Sequence, residues 1–195
     1  MSGSSWFVVL FLAGVFGERL VATFAHRQLV AGEQRQRWTL YALYTLYTVI
    51  VGGSLVEYIL THRPLIKLVS ALGLILYVGG VLLRTVAIRT LGKFWSLQIE
   101  IRTRHQLIRE GIYQYLRHPN YAGIILEVLS IPLVVNAWYI LALAGLAYVP
   151  MLLYRWRCEE QALVEKFGEE YRAYQREVGA LWPKFARRGK TAPIS

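Results

Sequence analysis

Cysteine is almost missing from this chain. Cys158 is the one cysteine in 195 residues, so no disulfide can form within it. It stands between Arg157 and Glu159, in a segment read below as cytoplasmic, where thiols stay reduced. No histidine follows it in the sequence, which favours an inert thiol over a nucleophile. Histidine is scarce as well: His26, His62, His105 and His118 are scattered, and with one cysteine they offer no metal-ligand spacing. Charge is thin. A soluble domain carries about 25% Asp, Glu, Lys and Arg, whereas this chain carries 17%, gathered in clusters. Internal repeats and low-complexity tracts are absent. The net charge of +10 comes with no nucleic-acid-binding motif. The basic residues flank apolar runs instead, as orientation in a membrane with anionic headgroups requires. Met1-Ser-Gly-Ser-Ser5 puts no basic region ahead of the first apolar run, so that run is read as a span and not as a signal peptide.

What the chain does have is apolar length: 55% of residues are hydrophobic and 13% aromatic. The expected fold is all-α and polytopic, with about five transmembrane helices. Residues 5 to 25 form a first span, interrupted by Glu18-Arg19, which either snorkel or meet partners on other helices. Trp38 to Leu60 forms a second, long enough to cross a roughly 30 Å hydrocarbon layer at 1.5 Å per residue. Its Tyr41, Tyr44 and Tyr47 read as an interfacial belt or a packing face. Leu65 to Ile88 forms a third, in which Gly73, Gly79 and Gly80 let a neighbour approach closely.

Residues 89–119 are basic and polar; Tyr121 to Tyr154 then supply 34 residues with one charge, Glu127. A single helix of that length would be about 51 Å long, too much for one crossing. A tight hairpin turning at Pro132 to Asn136, with both arms near the minimum length, fits better. From Arg155 a charged helical pattern carries Leu163, Phe167, Tyr171 and Tyr174 on one face.

Two regions follow: 1–88 with three transmembrane helices, and 89–195 as a catalytic region. The second holds a cofactor loop, the hairpin 119–155, and a C-terminal cytoplasmic helix and tail. Lysine and arginine number three in 26–37, six in 89–119 and nine from 155 onward, against two in 61–67 and none in the hairpin turn. That alternation places the N-terminus outside and the C-terminus in the cytoplasm.

The chain is organised around Gly111-x-Tyr113-x-x-x-Arg117-His118-Pro119-x-Tyr121-x-Gly123. Pro119 lacks an N–H and has a fixed φ, so it suits the first turn of a helix entering the membrane. Free backbone N–H groups and the positive end of the helix dipole gather there. Read on residues alone, Arg and Tyr at such a point are equally ordinary interfacial anchors.

This motif resembles the central motif of the isoprenylcysteine carboxyl methyltransferase family, and a looser form occurs in steroid-reductase-like and phospholipid methyltransferase proteins. The tail makes the resemblance specific: Arg155-Trp-Arg-Cys-Glu159-Glu160-x-x-Leu163-x-x-x-Phe167-Gly168-Glu-Glu-Tyr171-x-x-Tyr174-x-x-x-Val178, then Pro183. Upstream, Gln98 and His105-Gln-Leu-Ile108 stand at the family's spacing, although Gln106-Leu107-Ile108 differs from the eukaryotic form. The likeness runs from about residue 84 to 185.

It implies that Gln98, His105, Gln106, Leu107, Ile108, Tyr113, His118, Pro119, Asn120, Tyr121 and Glu159 hold S-adenosylmethionine, leaving S-adenosylhomocysteine as product. It further implies that Arg155 engages the acceptor's carboxylate and is the catalytic residue. No metal is implied. The expected acceptor is a lipid-like or prenylated carboxylate reached from the bilayer. The residue types agree: tyrosines wall an adenine, Glu159 accepts from a cationic group, and an ionised carboxylate needs positioning more than a base.

Glu127, well inside the membrane, needs a partner. It either lines the active cavity as a substrate-binding residue or pairs with Arg84 or Arg19. Two other functional classes stay open, a steroid-reductase-like NADPH enzyme and a non-catalytic lipid-binding scaffold.

Overall fold

The computed structural model describes residues 3–25, 33–35, 37–92, 99–101 and 107–184. The apolar runs fold as helices, because in lipid a backbone must satisfy its own hydrogen bonds. These are α1 (Gly3–Ala25), α2 (Arg37–Thr61), α3 (Lys67–Leu91) and α4 (Pro119–Val135). A rod follows, made of α5 (Trp138–Leu143), a π-helical turn (Ala144–Tyr148) and α6 (Val149–Phe167), and then α7 (Glu169–Glu177). Two short strands, β1 (Glu33–Arg35) and β2 (Ile99–Ile101), pair antiparallel. Their pairing brings the α1–α2 and α3–α4 connections to the same end of the bundle, as the alternating charge pattern requires. Among the described residues, four helices are long and apolar enough to cross a membrane: α1, α2, α3 and the rod. At 17 residues α4 is shorter.

The expected hairpin is present, and its turn is the Asn136-Ala137 step. Asn136 adopts a left-handed backbone, φ +56°, at the C-terminus of α4. Its Oδ1 accepts from the Ile66 N–H at 2.6 Å, and its Nδ2 donates to Ser70 Oγ at 3.1 Å. The turn is thereby tied to the start of α3. Beyond it, Glu57 of α2 accepts from the backbone N–H groups of Tyr139 (3.2 Å) and Ile140 (2.9 Å). A carboxylate from another helix thus satisfies the free donors and the dipole at the start of α5.

The first arm, α4, has the near-minimum length expected, but the second does not end where its apolar run does. The second arm continues without a break from Trp138 to Phe167, 30 residues or roughly 45 Å. The charged helix expected after Arg155 is the same rod leaving the apolar layer, so Arg155 lies within a helix and not at its end. The π turn precedes Pro150, whose missing N–H and bulky ring disrupt the preceding turn. The amphipathic tail breaks at Gly168, φ +54°, a conformation that glycine adopts without steric cost.

α3 and α4 lie antiparallel in close contact. A methyl group built on Gly80 would come 2.8 Å from the Gly123 carbonyl oxygen, and one on Gly123 the same distance from the Gly80 carbonyl oxygen. A methyl on Gly73 would come 2.8 Å from the Val134 backbone nitrogen, whereas one on Gly79 would meet nothing within 4 Å. The apolar core between helices runs through Val8, Leu12 and Val15 of α1, Leu43, Tyr47 and Ile50 of α2, Val128, Ile131 and Val134 of α4, and Tyr148 and Leu152 of the rod. Of Tyr41, Tyr44 and Tyr47, Tyr47 packs into this core and Tyr41 is exposed. A satellite cluster of Tyr171, Tyr174 and Val178, with Leu107, Leu163 and Phe167 against it, covers the end of the bundle.

The glycine contact predicts a contrast. Gly123→Val forces the α3 and α4 backbones apart and costs about 1–3 kcal/mol, seen as a lower thermal midpoint in detergent. Gly79→Ala leaves the midpoint unchanged or higher, since the site is open and alanine favours helix. Equal loss in both variants would contradict the packing.

Candidate active site

The start of α4 is the meeting point. Residues 116–118 run beside the segment after α7, with Arg117 N–H donating to Gly179 O (2.8 Å) and His118 N–H to Ala180 O (2.9 Å). Pro119 occupies the first helical position and is fully buried, as its fixed φ suits.

Arg117 is buried. Its Nε and Nη2 donate to the two carboxylate oxygens of Glu160, each at 3.1 Å. Its Nη1 donates to the carbonyls of Gln175 (3.2 Å) and Val178. One guanidinium therefore joins the start of α4, the far part of α6 and the end of α7.

Glu160 lies beyond the apolar part of the rod, which ends at Tyr154. It also accepts from Tyr171 OH (2.8 Å) and Gln175 Nε2 (2.7 Å), and it stands 2.7 Å from His118 Nε2. Burial opposes its charge, but hydrogen bonds from His118, Arg117 and Tyr171 outweigh it and hold the carboxyl well below the usual carboxylate range. Burial and the neighbouring Glu160 push the Tyr171 hydroxyl far up, and burial first of all pushes Tyr174 up to about 12. Both phenols stay neutral donors.

Glu159 points to another side of the helix. Tyr121 OH donates to its Oε2 at 2.6 Å, and Tyr121 lies beside Arg155 as well. Arg155 is buried and donates through Nη1 to Thr39 Oγ1 at 2.6 Å. Tyr113 is buried too, its OH reaching Ala87 O at 3.4 Å and its carbonyl accepting from Tyr174 OH. Burial and then the charge of Glu159 raise its phenol far above the ordinary value. The His118 ring meets Tyr121 edge-on at 5.7 Å and Trp156 at 6.1 Å between centroids. The buried Trp156 Nε1 has no hydrogen-bond partner among the described residues.

His118, Tyr121, Arg155 and Glu159 are thus brought together, with Tyr113 and Leu107 adjoining through Tyr174. Asn120 and Ile108 are half-buried at the same end. Gln98, His105 and Gln106 lie outside the described residues. Glu127 belongs elsewhere: its Oε2 accepts from Arg19 Nη2 (2.9 Å) and its Oε1 from Arg84 Nε (2.6 Å), while Arg84 Nη2 also reaches Glu18. Of its two readings the structure draws the pairing one, with both arginines.

Sequence reasoning read Arg117 only as a motif residue or interfacial anchor, and gave no role to Glu160 or Thr39. The adjacent Glu159-Glu160 pair carried a signal, because successive helical residues point about 100° apart and must face different surroundings. Thr39 carried none.

The fold and the cluster define a multi-pass helical membrane protein with a polar site at one end of its bundle, roofed by α7. Residues 71–165 match the profile of the isoprenylcysteine carboxyl methyltransferase (ICMT) family.

Among its relatives, protein-S-isoprenylcysteine O-methyltransferase of Tribolium castaneum is 32% identical over 150 residues, covering 70% of this chain and 51% of that protein. The Saccharomyces cerevisiae enzyme of the same name is 31% identical over 126 residues, 60% and 50%. Methanethiol S-methyltransferase of Pseudomonas deceptionensis is 37% identical over 76 residues, 39% and 28%. The chain spans about half the length of the isoprenylcysteine methyltransferases it matches. The solved structure of the eukaryotic intramembrane Ras methyltransferase ICMT shares the fold, with TM-score 0.64 and 21% identity over 94% of this chain and 69% of that one.

The Glu160 cluster predicts an acid response. Its folded carboxyl sits below the ordinary value of 4.5, so its contribution is complete above that pH and is lost as the pH falls below it. Thermal midpoints measured from neutral pH downward drop more steeply in wild type than in Glu160→Gln, which starts lower and stays flatter. Parallel curves would contradict this.

Proposed function

We propose that the protein is an S-adenosylmethionine-dependent membrane methyltransferase that O-methylates a carboxylate on a prenylcysteine-like or other lipidic acceptor. The observation that carries this reading is the meeting of a carboxylate, Glu159, and a buried guanidinium, Arg155, at one tyrosine, Tyr121. A methyl donor with a sulfonium and an ammonium suits the carboxylate and the tyrosine faces. An anionic acceptor suits the guanidinium. When bound, S-adenosylmethionine supplies an electrophilic methyl group.

The chain's own residues do the positioning. Glu159 accepts from the donor's cationic end, its free rotation checked by Tyr121. Tyr113 and Tyr121 wall the site and exclude water. Arg155 holds the acceptor carboxylate through parallel hydrogen bonds, with the bond to Thr39 fixing the guanidinium plane. The nucleophile is already ionised, so proximity and desolvation carry the rate and no proton need move.

Transfer of radiolabelled methyl groups tests the reading. Wild type labels a prenylated cysteine bearing a free carboxylate, and Arg155→Ala lowers kcat/KM about ten- to a hundred-fold, the effect of losing a charge-assisted hydrogen bond. Donor affinity is retained. Labelling of a small thiol in place of the carboxylate would move the acceptor class towards that named by the methanethiol relative. Turnover with NADPH and no methyl transfer would replace the reading with a reductase.

The same proposal puts the site and the C-terminus on the cytoplasmic side, with the N-terminus outside. Reporters at residue 104 and at Ser195 then read cytoplasmic and one at Arg63 external; opposite sides for the first two would break the shared site.

A further inference from the structure

His118 stands at the cap of α4, yet its side chain makes no capping hydrogen bond. The ring is turned instead so that Nε2 faces Glu160 Oε1 at 2.7 Å and Tyr171 OH at 3.3 Å. Both neighbours present acceptors. Glu160 is an acceptor-only carboxylate. The Tyr171 hydroxyl donates its proton to Glu160 Oε1 at 2.8 Å, so towards His118 it offers a lone pair. An imidazole nitrogen between two acceptors carries the proton, and the hydrogen bond made by one nitrogen decides the state of the other.

The carboxylate that does this is not free to attract a ligand. Arg117 takes both its oxygens and Gln175 donates to one of them. Its oxygens are thus committed within the protein, to Arg117, Gln175, Tyr171 and the His118 ring. Glu159, one residue earlier, is left as the anion on the tyrosine-walled side.

We infer that Glu160 and Arg117 are positioning residues that fix His118 as the tautomer protonated on Nε2, so that Nδ1 is presented as a hydrogen-bond acceptor for the ammonium group of the adenosyl amino-acid donor. This rests on the proposed methyl-donor reading. Two acceptors, His118 Nδ1 and Glu159, then meet a cationic ligand, while the adjacent glutamate serves the protein's own framework. The ring edge is held by Tyr121 and Trp156, which meet it at 79° and 72° and restrict its rotation.

Long-range proton–nitrogen NMR on full-length protein labelled with 15N-histidine, in detergent at about pH 8, reads the tautomer directly. The His118 signals are assigned by their loss in His118→Gln. The expected spectrum has a protonated, pyrrole-like Nε2 and an unprotonated, pyridine-like Nδ1, and S-adenosylhomocysteine, which retains the ammonium, moves the Nδ1 signal. Glu160→Gln mixes the tautomers and weakens S-adenosylhomocysteine binding about tenfold by calorimetry, the order expected for losing a partner that orients a histidine. The wild-type spectrum needs no variant to fold.

A proton on Nδ1, protons on both nitrogens, or an Nδ1 signal that ignores a ligand shown to bind would each overturn the inference and leave the methyl-donor reading standing. No saturable binding of S-adenosylhomocysteine to wild type would overturn that reading, and the ligand assigned to Nδ1 with it.

Discussion

The ion pair between Arg117 and Glu160 is the contact through which the rest of the site is assembled. It is bidentate, largely out of water, and reinforced by the backbone carbonyls of Gln175 in α7 and Val178 just after it, and by His118, Tyr171 and the Gln175 side chain. Removing one partner of such a pair leaves an uncompensated buried charge, at a cost of about 3–5 kcal/mol. With the pair intact, α4 begins at a fixed place relative to the far part of α6, and α7 is held across both. Tyr121, in the first turn of α4, then meets Glu159 and Arg155 on the neighbouring rod. The site is a consequence of how two helices start and leave the apolar layer together.

A second set of charges works inside the layer. Glu18, Arg19, Arg84 and Glu127 come from three helices and alternate in sign, so that each charge faces an opposite one. In an apolar surrounding an isolated charge of either kind is costly, and pairing is the way such residues persist there. The Arg19 guanidinium also lies 4.7 Å from the centre of the Tyr47 ring. This network locks α1 onto the α3–α4 pair, whose close approach depends on Gly80 and Gly123. The two ionic systems divide the work: one holds the bundle together, and the other shapes its end.

Much of this was legible in the sequence for physical reasons. Apolar length and charge spacing set the helices and the hairpin, because few structures satisfy a backbone in lipid. Pro119 announced the start of α4, and glycines marked the tight helix pair, although composition could not tell Gly79 from Gly80, which differ only in the face they present. The join between the last span and the charged tail was hidden. A change of hydropathy at Arg155 looks like a boundary between elements, but an α-helix can leave the membrane without breaking, and Gly168 is where it breaks. The motif singled out Arg155 and Glu159 as candidates. The distinct duty of Glu160 and the Thr39 partner of Arg155 were not legible, since both depend on which distant helices come to lie alongside.

The central claim is that the cluster beside the start of α4 receives an adenosylated methyl donor. Calorimetric titration of S-adenosylhomocysteine and, separately, NADPH into the purified protein in detergent tests it most directly, with Glu159→Ala measured beside wild type. The account predicts saturable S-adenosylhomocysteine binding, at least tenfold weaker in Glu159→Ala by the scale of a charge-assisted hydrogen bond, and no saturable NADPH binding. Saturable NADPH binding without any response to the adenosylated ligand, or unchanged S-adenosylhomocysteine affinity in Glu159→Ala, would contradict it.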